Sequence, residues 1–411
     1  MIITILIFTI IGILLGLIAG LLPGIHPNQL FILIIGFLPF FSGFPTESLL
    51  ALIVSVMVSN IFFNYIPAIF FSVPDPNTVL NVLPGHKMVL EGKGLDALFI
   101  SLSGGLLTLI TCCLFLPLAL ILIPVLNKFL YPHIHILLIG LTFWLLLLES
   151  NWKKRLLSFL LFLLSGFWGI LCLNSKLINS EDVLFPALTG MFGIAGLVTS
   201  LEEGVKIPTQ KVSKNIKTGS IFKIVLTGLT AGLLIGVLPG AGESQAGILV
   251  SNLTRIGEEE FLGSLAGINT SNSIFALISL YSFGKVRSGA AAAIDSIIPH
   301  FNLNYLFLCI AIILLSSGLS VILCWLIGKK FLKALEKINY RIVSMFIIVF
   351  TTIMVLFFTG FIGLFILLVS TCLGLLPIIW GVRRTSNMGF LMLSTIIYFS
   401  GLTWTVNWVL F

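Results

Sequence analysis

The sequence predicts an all-α, polytopic integral membrane protein made of two related halves, each with a broken helix or re-entrant hairpin. Of its 411 residues, 58% are hydrophobic and only 9% are charged, against about 25% charged residues in soluble domains. Long runs such as Leu306–Leu326 are almost continuously apolar. Such runs exclude alternating barrel strands and suit helices of roughly 20 residues that cross a bilayer. A motif that occurs twice indicates the two halves.

The duplicated motif occupies Gly12–Gln29 and Gly228–Gln245. Each copy has glycines at every fourth position, then Leu-Pro-Gly, and then a polar stretch ending in glutamine. Proline cannot continue helical hydrogen bonding, and glycine permits the backbone angles of a break. Two membrane helices broken at corresponding positions are a strong indication of a transporter's binding site. We expect the spaced glycines to be structural and to pack each broken helix against a neighbour.

Apolar segments follow one another along the whole chain. Those predicted to cross or enter the membrane are 2–22, 30–42, 47–72, 97–125, 133–149, 156–173, 183–200, 222–238, 244–254, 261–282, 288–300, 304–327, 342–359, 361–380 and 388–410. Segments 30–42, 244–254 and 288–300 are too short to span alone, so we expect half-helices or re-entrant hairpins there.

The basic residues lie mostly in loops, which explains the net charge of +7 without a nucleic-acid partner. The strongest clusters are Lys153–Arg155, the loop with Lys206 to Lys223, Lys329–Arg341 and Arg383-Arg384. The positive-inside rule assigns all of them to the cytoplasm, so the localisation is the inner (cytoplasmic) cell membrane, multi-pass. The helix before Pro239 then enters from the cytoplasm, whereas Met1–Leu22 starts outside. The repeat is therefore predicted to be inverted.

The longest polar linker divides the chain near its middle. We predict a first membrane repeat over 1–201, a cytoplasmic linker over 202–223 and a second membrane repeat over 224–411. A second match supports the division, because Ser59-Asn60-x-Phe62 is similar to Ser271-Asn272-x-x-Phe275.

Each break is predicted to form part of a substrate site. The helix after a break begins with unpaired N–H groups and a partial positive charge, which bind anions without a basic side chain. The candidate substrate-binding residues around the breaks are Gly24, His26, Asn28, Gln29, Gly240, Gly242, Glu243, Ser244 and Gln245, and those beside them are Asn60, Asn269, Ser271 and Asn272. Two facing breaks could hold both ends of a dicarboxylate or tricarboxylate. The alternative is a pair of kinks that serve packing alone.

Ionisable residues in an apolar context suggest coupling to an ion. Glu243, His26 or Asp295 could carry a proton, and the embedded amides could coordinate Na⁺. The alternative is that these residues face a water-filled vestibule and have no role. The basic turn Gly284–Ala290 is either a plain cytoplasmic turn or an attractor of the anionic substrate. No cofactor or metal is expected, and the cysteines are interpreted as small packing residues.

No catalytic motif occurs, neither Gly-x-Ser-x-Gly, nor His-Glu-x-x-His, nor a Walker loop, so an enzyme is not expected. The leading hypothesis is an ion-coupled secondary permease for a small organic anion, bound near the membrane midplane. One alternative is a flippase for an anionic lipid-linked substrate such as a polyprenyl phosphate, and another is a non-transporting scaffold. Membrane lipid is an expected partner, and a homodimer is open.

The motif regions resemble a known family. The residues that carry the resemblance are Gly20–Pro27, Gly92–Gly105, Pro186–Leu201, Gly228–Gly247 and Gly263–Ala293. They resemble the TctA family, the large membrane subunit of tripartite tricarboxylate transporters. The resemblance implies secondary uptake of carboxylates together with a small membrane subunit and an extracytoplasmic binding protein.

The chain departs from the family pattern in two places. Gly267–Asn272 lacks the acidic residue and adjacent asparagines that the family usually carries there, and Val286–Gly289 replaces a Pro-Gly. A short, divergent member could also work without either partner subunit.

Overall fold

The computed structural model describes residues 1–22, 27–41, 43–71, 82–175, 178, 180–202, 208, 210, 218–237, 247, 250, 256–284, 286, 288–298, 300–335 and 340–402. Helices dominate these ranges, and no strand occurs within them, so the predicted all-α class is confirmed. Both Leu-Pro-Gly breaks continue into residues outside the described ranges.

The helices are α1 Ile2–Leu21, α2 Pro27–Gly36, α3 Thr46–Phe63, α4 Tyr65–Phe70, α5 Val82–Leu90, α6 Gly94–Leu114, α7 Leu116–Leu130, α8 Ile134–Leu147, α9 Trp152–Asn174, α10 Ser180–Leu188, α11 Ala195–Glu202, α12 Thr218–Val237, α13 Glu258–Phe283, α14 Gly289–Ile297, α15 Leu303–Leu335, α16 Tyr340–Trp380 and α17 Gly389–Phe399. A π-helical turn, Thr189–Ile194, joins α10 to α11, and a 3₁₀ turn, Arg384–Met388, precedes α17.

Within the described ranges, eight helical runs are long and apolar enough to cross a membrane, and a bent α7–α8 pair could add a ninth. They are α1, α3 with α4, α6, α9, α10 with α11, α13, α15 and α16. The protein is therefore a multi-pass membrane protein, as the composition predicts.

Two predicted segment boundaries are wrong. Segment 97–125 is divided at Phe115 into α6 and α7, and Pro117 occupies the first turn of α7, where a missing N–H costs little. Helix α5 lies between the predicted segments 47–72 and 97–125 and was not predicted. Its proline again lies in the first turn of a helix. Helix α12 begins at Thr218, inside the predicted linker.

Helix α16 bends sharply where two separate segments were predicted to meet. Gly360 has φ +64° and ψ −161°, a conformation that favours glycine. A Cβ atom placed on Gly363 would lie 3.3 Å from Cγ1 of Val355, eight residues earlier. A straight helix would separate these positions by about 12 Å. The two arms of α16 therefore fold back on each other at Gly360.

The hydrophobic core does not follow the two halves. A large cluster draws on α1, α3, α6, α13 and α15, and a smaller one draws on α9, α10, α12, α16 and α17. Each cluster thus contains helices from both sides of the linker, which fixes the two halves against each other along their length.

Candidate functional site

The glycine ridge of α1 packs directly on α3. A Cβ atom on Gly16 would collide with Oγ of Ser59, and one on Gly20 would lie 2.7 Å from Cβ of Phe63. The Ser59 hydroxyl also lies 3.5 Å from the carbonyl oxygen of Gly12. Only glycine lets the two helices approach this closely.

The glycine ridge of α12 packs on α13 in the same way. A Cβ atom on Gly232 would collide with Oγ of Ser271, and one on Gly236 would lie 2.7 Å from Cβ of Phe275. The Ser271 hydroxyl donates a hydrogen bond to the carbonyl oxygen of Gly228 at 3.1 Å. The structural role predicted for both ridges is thereby confirmed.

The matched contacts correct the second sequence match by one residue. Phe275 corresponds to Phe63, since both lie against the last glycine of a ridge. Phe62 points elsewhere: its ring lies 3.2 Å from the Cβ position of Gly105, and its carbonyl oxygen accepts a hydrogen bond from Cys324 Sγ at 3.2 Å. The repeated pattern is therefore Ser-Asn-x-x-Phe in both halves.

Polar side chains from both halves meet in the interior. The Nδ2 of Asn269 in α13 donates to the hydroxyl oxygen of Tyr65 in α4 at 3.3 Å. The Thr270 hydroxyl donates to the carbonyl oxygen of Gly105 in α6 at 2.9 Å. Of the predicted site residues, Asn60, Asn269 and Ser271 are buried and Asn272 is half-buried. Buried amides and hydroxyls are costly in an apolar interior unless they are hydrogen-bonded. A cluster of such groups is therefore a place where a polar ligand could find donors and acceptors.

Two helix N-termini meet at Asn28. This residue lies in the first turn of α2, just after the first break, and a Cβ atom on Gly289 would collide with its side-chain amide. Gly289 begins α14, and the Ser288 hydroxyl caps that helix by accepting from the N–H of Ala291 at 3.1 Å. In the described ranges, the residue after the first break thus faces the start of α14.

The turn before α14 lies far from the ion pairs that Lys87 and Lys93 form with α13. Helix α13 begins at Glu258, which is ion-paired with Lys87, and its 26 residues extend about 39 Å to Phe283. Gly284 follows with φ +61° at the far end. The turn at Gly284 and the Lys87–Glu258 pair therefore lie at opposite ends of α13.

Several predicted site residues cannot be located. Gly24, His26, Gly240, Gly242, Glu243, Ser244 and Gln245 lie outside the described residues, and Gln29 lies in α2. Among the described residues, no group of three metal-ligating side chains occurs. Sequence reasoning missed Tyr65, which was read as part of an apolar segment. Its position beyond Asn60 and Asn64 in that segment was the available signal.

Ion pairs of Lys87 and Lys93 also join the halves at the start of α13, here called the basic end. Lys87 of α5 contacts Glu258 of α13 at 2.8 Å, and Lys93 contacts Glu259 at 4.0 Å. The hydrogen bond to Glu258, with its charge, raises the pKa of Lys87. Beside these pairs lies an open cavity of about 530 Å³, which glutamates 258–260 help to line.

The predicted cytoplasmic clusters form two groups of contacts. The Glu149 carboxylate accepts from the backbone N–H of Arg383 at 2.8 Å, and Gln210 of the linker accepts from the N–H of Gly94. Leu332, in the last turn of α15, lies beside Gly94 as well. Gly94 thus joins the linker and the end of α15 to the ion-paired end of α13. Glu149 separately joins Arg155 of α9 to Arg383.

The fold defines a helical, multi-pass membrane protein, and comparisons with known proteins specify its class. A model of the Tripartite tricarboxylate transporter TctA family matches residues 6–389. The chain belongs to that family, whose members are membrane components of tripartite transporters. It is also similar to an uncharacterized protein of Methanocaldococcus jannaschii, with 29% identity over 403 residues, 96% of this chain and 98% of the relative. No solved structure matches significantly.

Proposed function

We propose that this chain is the permease of an ion-coupled secondary transporter for a small organic anion, a dicarboxylate or tricarboxylate. Family membership supports a transporter. The observation that carries the proposal is the matched packing of α1 on α3 and of α12 on α13, which brings polar residues of both halves together. The substrate would bind between helix N-termini near the membrane midplane, as the breaks predict.

The order of contacts supports an inverted repeat. Helix α1 runs parallel to α3, since Thr4 contacts Ser48 and Gly20 contacts Phe63. Helices α3 and α4 run parallel to α15, since Phe62 contacts Cys324 and Phe71 contacts Phe331. Helices α1, α3, α4 and α15 therefore share one direction.

The second pair has the other direction. Helix α15 is antiparallel to α6, because Gly94 lies against Leu332 and Leu98 against Gly328. Helix α6 is parallel to α13, because Gly104 lies against Gly263 and Thr108 against Gly267. We infer that α3 and α13 run oppositely, and that the pairs α1–α3 and α12–α13 are related by inversion.

Inversion gives Asn60 and Asn272 a shared position. Phe62 and Thr270 both contact Gly105, so their levels along the membrane normal are similar. Asn60 lies two residues before Phe62, and Asn272 lies two residues after Thr270. Because α3 and α13 run in opposite directions, these two steps lead to the same level. We assign these amides to the substrate or Na⁺ site, and a proton carried by Glu243 or His26 is the other coupling mode.

The ion pairs at the basic end suit the closed side of an alternating-access cycle. Lys87 belongs to the first half and Glu258 to the second, and both side chains are exposed. In the proposed cycle these pairs separate when the substrate site opens to the cytoplasm. The neighbouring cavity would then widen into the exit path.

We also propose the partners that the family implies, a small membrane subunit and an extracytoplasmic binding protein. A homodimer in the membrane remains part of the proposal. The binding protein would deliver the anion to the face opposite the basic end, where the Asn28–Gly289 contact lies.

A flippase for an anionic lipid-linked substrate is the second candidate, because one observation favours it. An apolar opening of about 230 Å³ between α6, α7, α12 and α13 is lined by leucines and by Phe115 and Phe275. Phe275 packs on Gly236, so this opening approaches the second break from the lipid side. A prenyl chain could enter there while its phosphate reached the helix N-termini.

Transport by reconstituted protein tests both candidates. The chain would be placed in proteoliposomes, alone and with partner proteins encoded beside it, and uptake of labelled citrate would be measured under Na⁺ or proton gradients. We expect gradient-dependent uptake that is lost in a Gly24→Leu, Gly240→Leu variant. Uptake that survives both substitutions would refute the site. Inhibition by polyprenyl phosphate but not by carboxylates would favour the flippase.

A further inference from the structure

A second candidate site lies at the turn between α16 and α17, away from the proposed transport path. Arg384 is half-buried there, and its Nη1 lies 3.1 Å from the Cβ position of Gly196 in α11. A side chain at residue 196 would press on the guanidinium, so glycine leaves room for it. Burial lowers the pKa of Arg384, but a guanidinium stays protonated under all physiological conditions.

No carboxylate neutralises this arginine among the described residues. The ion pairs found there join Lys87 and Lys93 to glutamates, and none includes Arg384. The buried carboxylate of Glu149 accepts a hydrogen bond from the backbone N–H of the preceding residue, Arg383, at 2.8 Å. A half-buried charge without a counter-ion is unfavourable, so an anionic ligand at this turn would be favoured.

A second cation lies over the same turn. The Lys154 ammonium is 3.8 Å from the Cβ position of Gly381, which has φ +63°. Arg155 is anchored nearby, because its Nε donates to the carbonyl oxygen of Glu149 at 3.1 Å. Lys154 and Arg384 therefore flank one short turn and share no acidic partner within the described part of the chain.

The turn lies at the level of the lipid head groups. Trp152, at the start of α9, is 77% exposed, and tryptophan concentrates at membrane interfaces. Beyond it, Leu156, Phe159 and Leu160 present an exposed apolar surface. Cations at the interface followed by an apolar helix face match a phospholipid, whose phosphate and acyl chain lie in the same order.

We infer that Arg384 and Lys154 bind the phosphate of an anionic phospholipid, with an acyl chain along the exposed face of α9. Arginine suits this ligand, because its planar donors contact two phosphate oxygens at once. The inference is independent of the transported substrate and goes beyond the proposed function.

Lipid-dependent thermal unfolding of the purified full chain tests the inference. Phosphatidylglycerol, phosphatidylcholine or inorganic phosphate would be titrated into detergent-solubilised protein, and the midpoint of stabilisation would be measured. We expect stabilisation by phosphatidylglycerol alone, with the apparent affinity reduced about fivefold in Lys154→Gln and more in Arg384→Gln. Lys333→Gln, an equal charge change in the last turn of α15, is the matched control and should bind normally.

Unchanged phosphatidylglycerol affinity in both site variants would overturn the inference. Equal stabilisation by inorganic phosphate would also overturn it, since the ligand would then be a free anion. If Arg384→Gln does not fold, Arg384→Lys and Lys154→Gln provide the comparison. A lysine at position 384 should then retain part of the lipid response that Lys154→Gln loses.

Discussion

The two matched helix pairs share one packing pattern but have different neighbours. In the first pair, Gly12 faces Ser55, whose hydroxyl bonds within its own helix to Ala51 at 2.6 Å. In the second pair, Gly267 stands where the first pair has Ser55. Thr108 of α6 lies against both Gly228 and Gly267. The second pair is thus clamped by a third helix. Duplication kept the frame of the pair, and single glycine or serine choices decided what it packs against.

The largest expected effect comes from filling the ridges. Gly16→Leu and Gly232→Leu each place a side chain on the serine of the facing helix, and overpacking of this kind costs about 3 kcal/mol or more. We expect both variants to lose most folded protein, as measured by detergent thermal unfolding and size-exclusion chromatography.

Gly140→Leu is the control for those variants, because nothing lies within 4 Å of the Cβ position of Gly140 in α8. Gly232→Ala should recover stability when combined with Ser271→Gly, since without the Ser271 side chain the nearest atom is the carbonyl oxygen of Ile268 at 3.5 Å. Stable folding of Gly16→Leu alone would show that the matched contacts are not what holds α1 to α3.

Acid should weaken the first half selectively. His86 of α5 is buried, donates from Nδ1 to the carbonyl oxygen of Ile69 at 3.1 Å, and burial lowers its pKa to about 4. The unfolded chain has the ordinary value of about 6.5, so it binds the proton first as the pH falls. The free energy of unfolding should therefore decline below pH 6.5, by about 3 kcal/mol at pH 4.

His86→Leu should flatten that pH dependence in thermal unfolding measured between pH 7.5 and 4. The loss should begin around α5, which carries His86, and hydrogen exchange can localise it. The same pH slope in His86→Leu would mean that another group is responsible.

Asn60 and Asn272 provide the functional comparison. If they are equivalent by inversion, alanine at either position should reduce uptake by about tenfold, because each substitution removes an amide from the proposed site. Asn174→Ala, at the end of α9, should leave uptake within about twofold of the unsubstituted protein. A large effect at only one of the two positions would mean that the pairs have diverged in function.

The smallest effect is expected at the exposed ion pair. Lys87→Gln should change stability little, because exposed pairs are screened by water and salt. Since Glu258 raises the pKa of Lys87, the pair persists below the ordinary lysine pKa and is lost as the pH rises above it. A cysteine placed at Glu91 should be labelled more easily when Lys87→Gln is also present, because the Lys87–Glu258 pair no longer holds this end closed. With Lys87 intact, 0.5 M salt should have the same effect. Equal labelling with and without Lys87→Gln would argue that the pair does not close this end.

Composition and spacing were enough to predict the class, the duplication and the packing role of the glycines, because these depend on local pattern. The registers were not predictable at the same level. Phe62 and Phe63 are adjacent and chemically identical, and only contacts with Gly105 and Gly20 distinguish them. The contact of Asn28 with Gly289 joins residues far apart in the chain, and no local periodicity encodes it. Helix α5 has only nine residues, too few for the search for membrane-crossing segments to detect.

The reversal of α16 at Gly360 decides on which side of the membrane the following chain emerges. A straight helix of 41 residues would extend about 60 Å, twice the hydrocarbon thickness. Because the chain reverses at Gly360, each arm has about 20 residues, enough for a pass of its own, so we expect Arg383 to return to the side of Arg341. A reporter enzyme fused after Thr359 should accordingly be active in the compartment opposite to one fused after Arg384. Topology in this region therefore depends on one residue without a side chain.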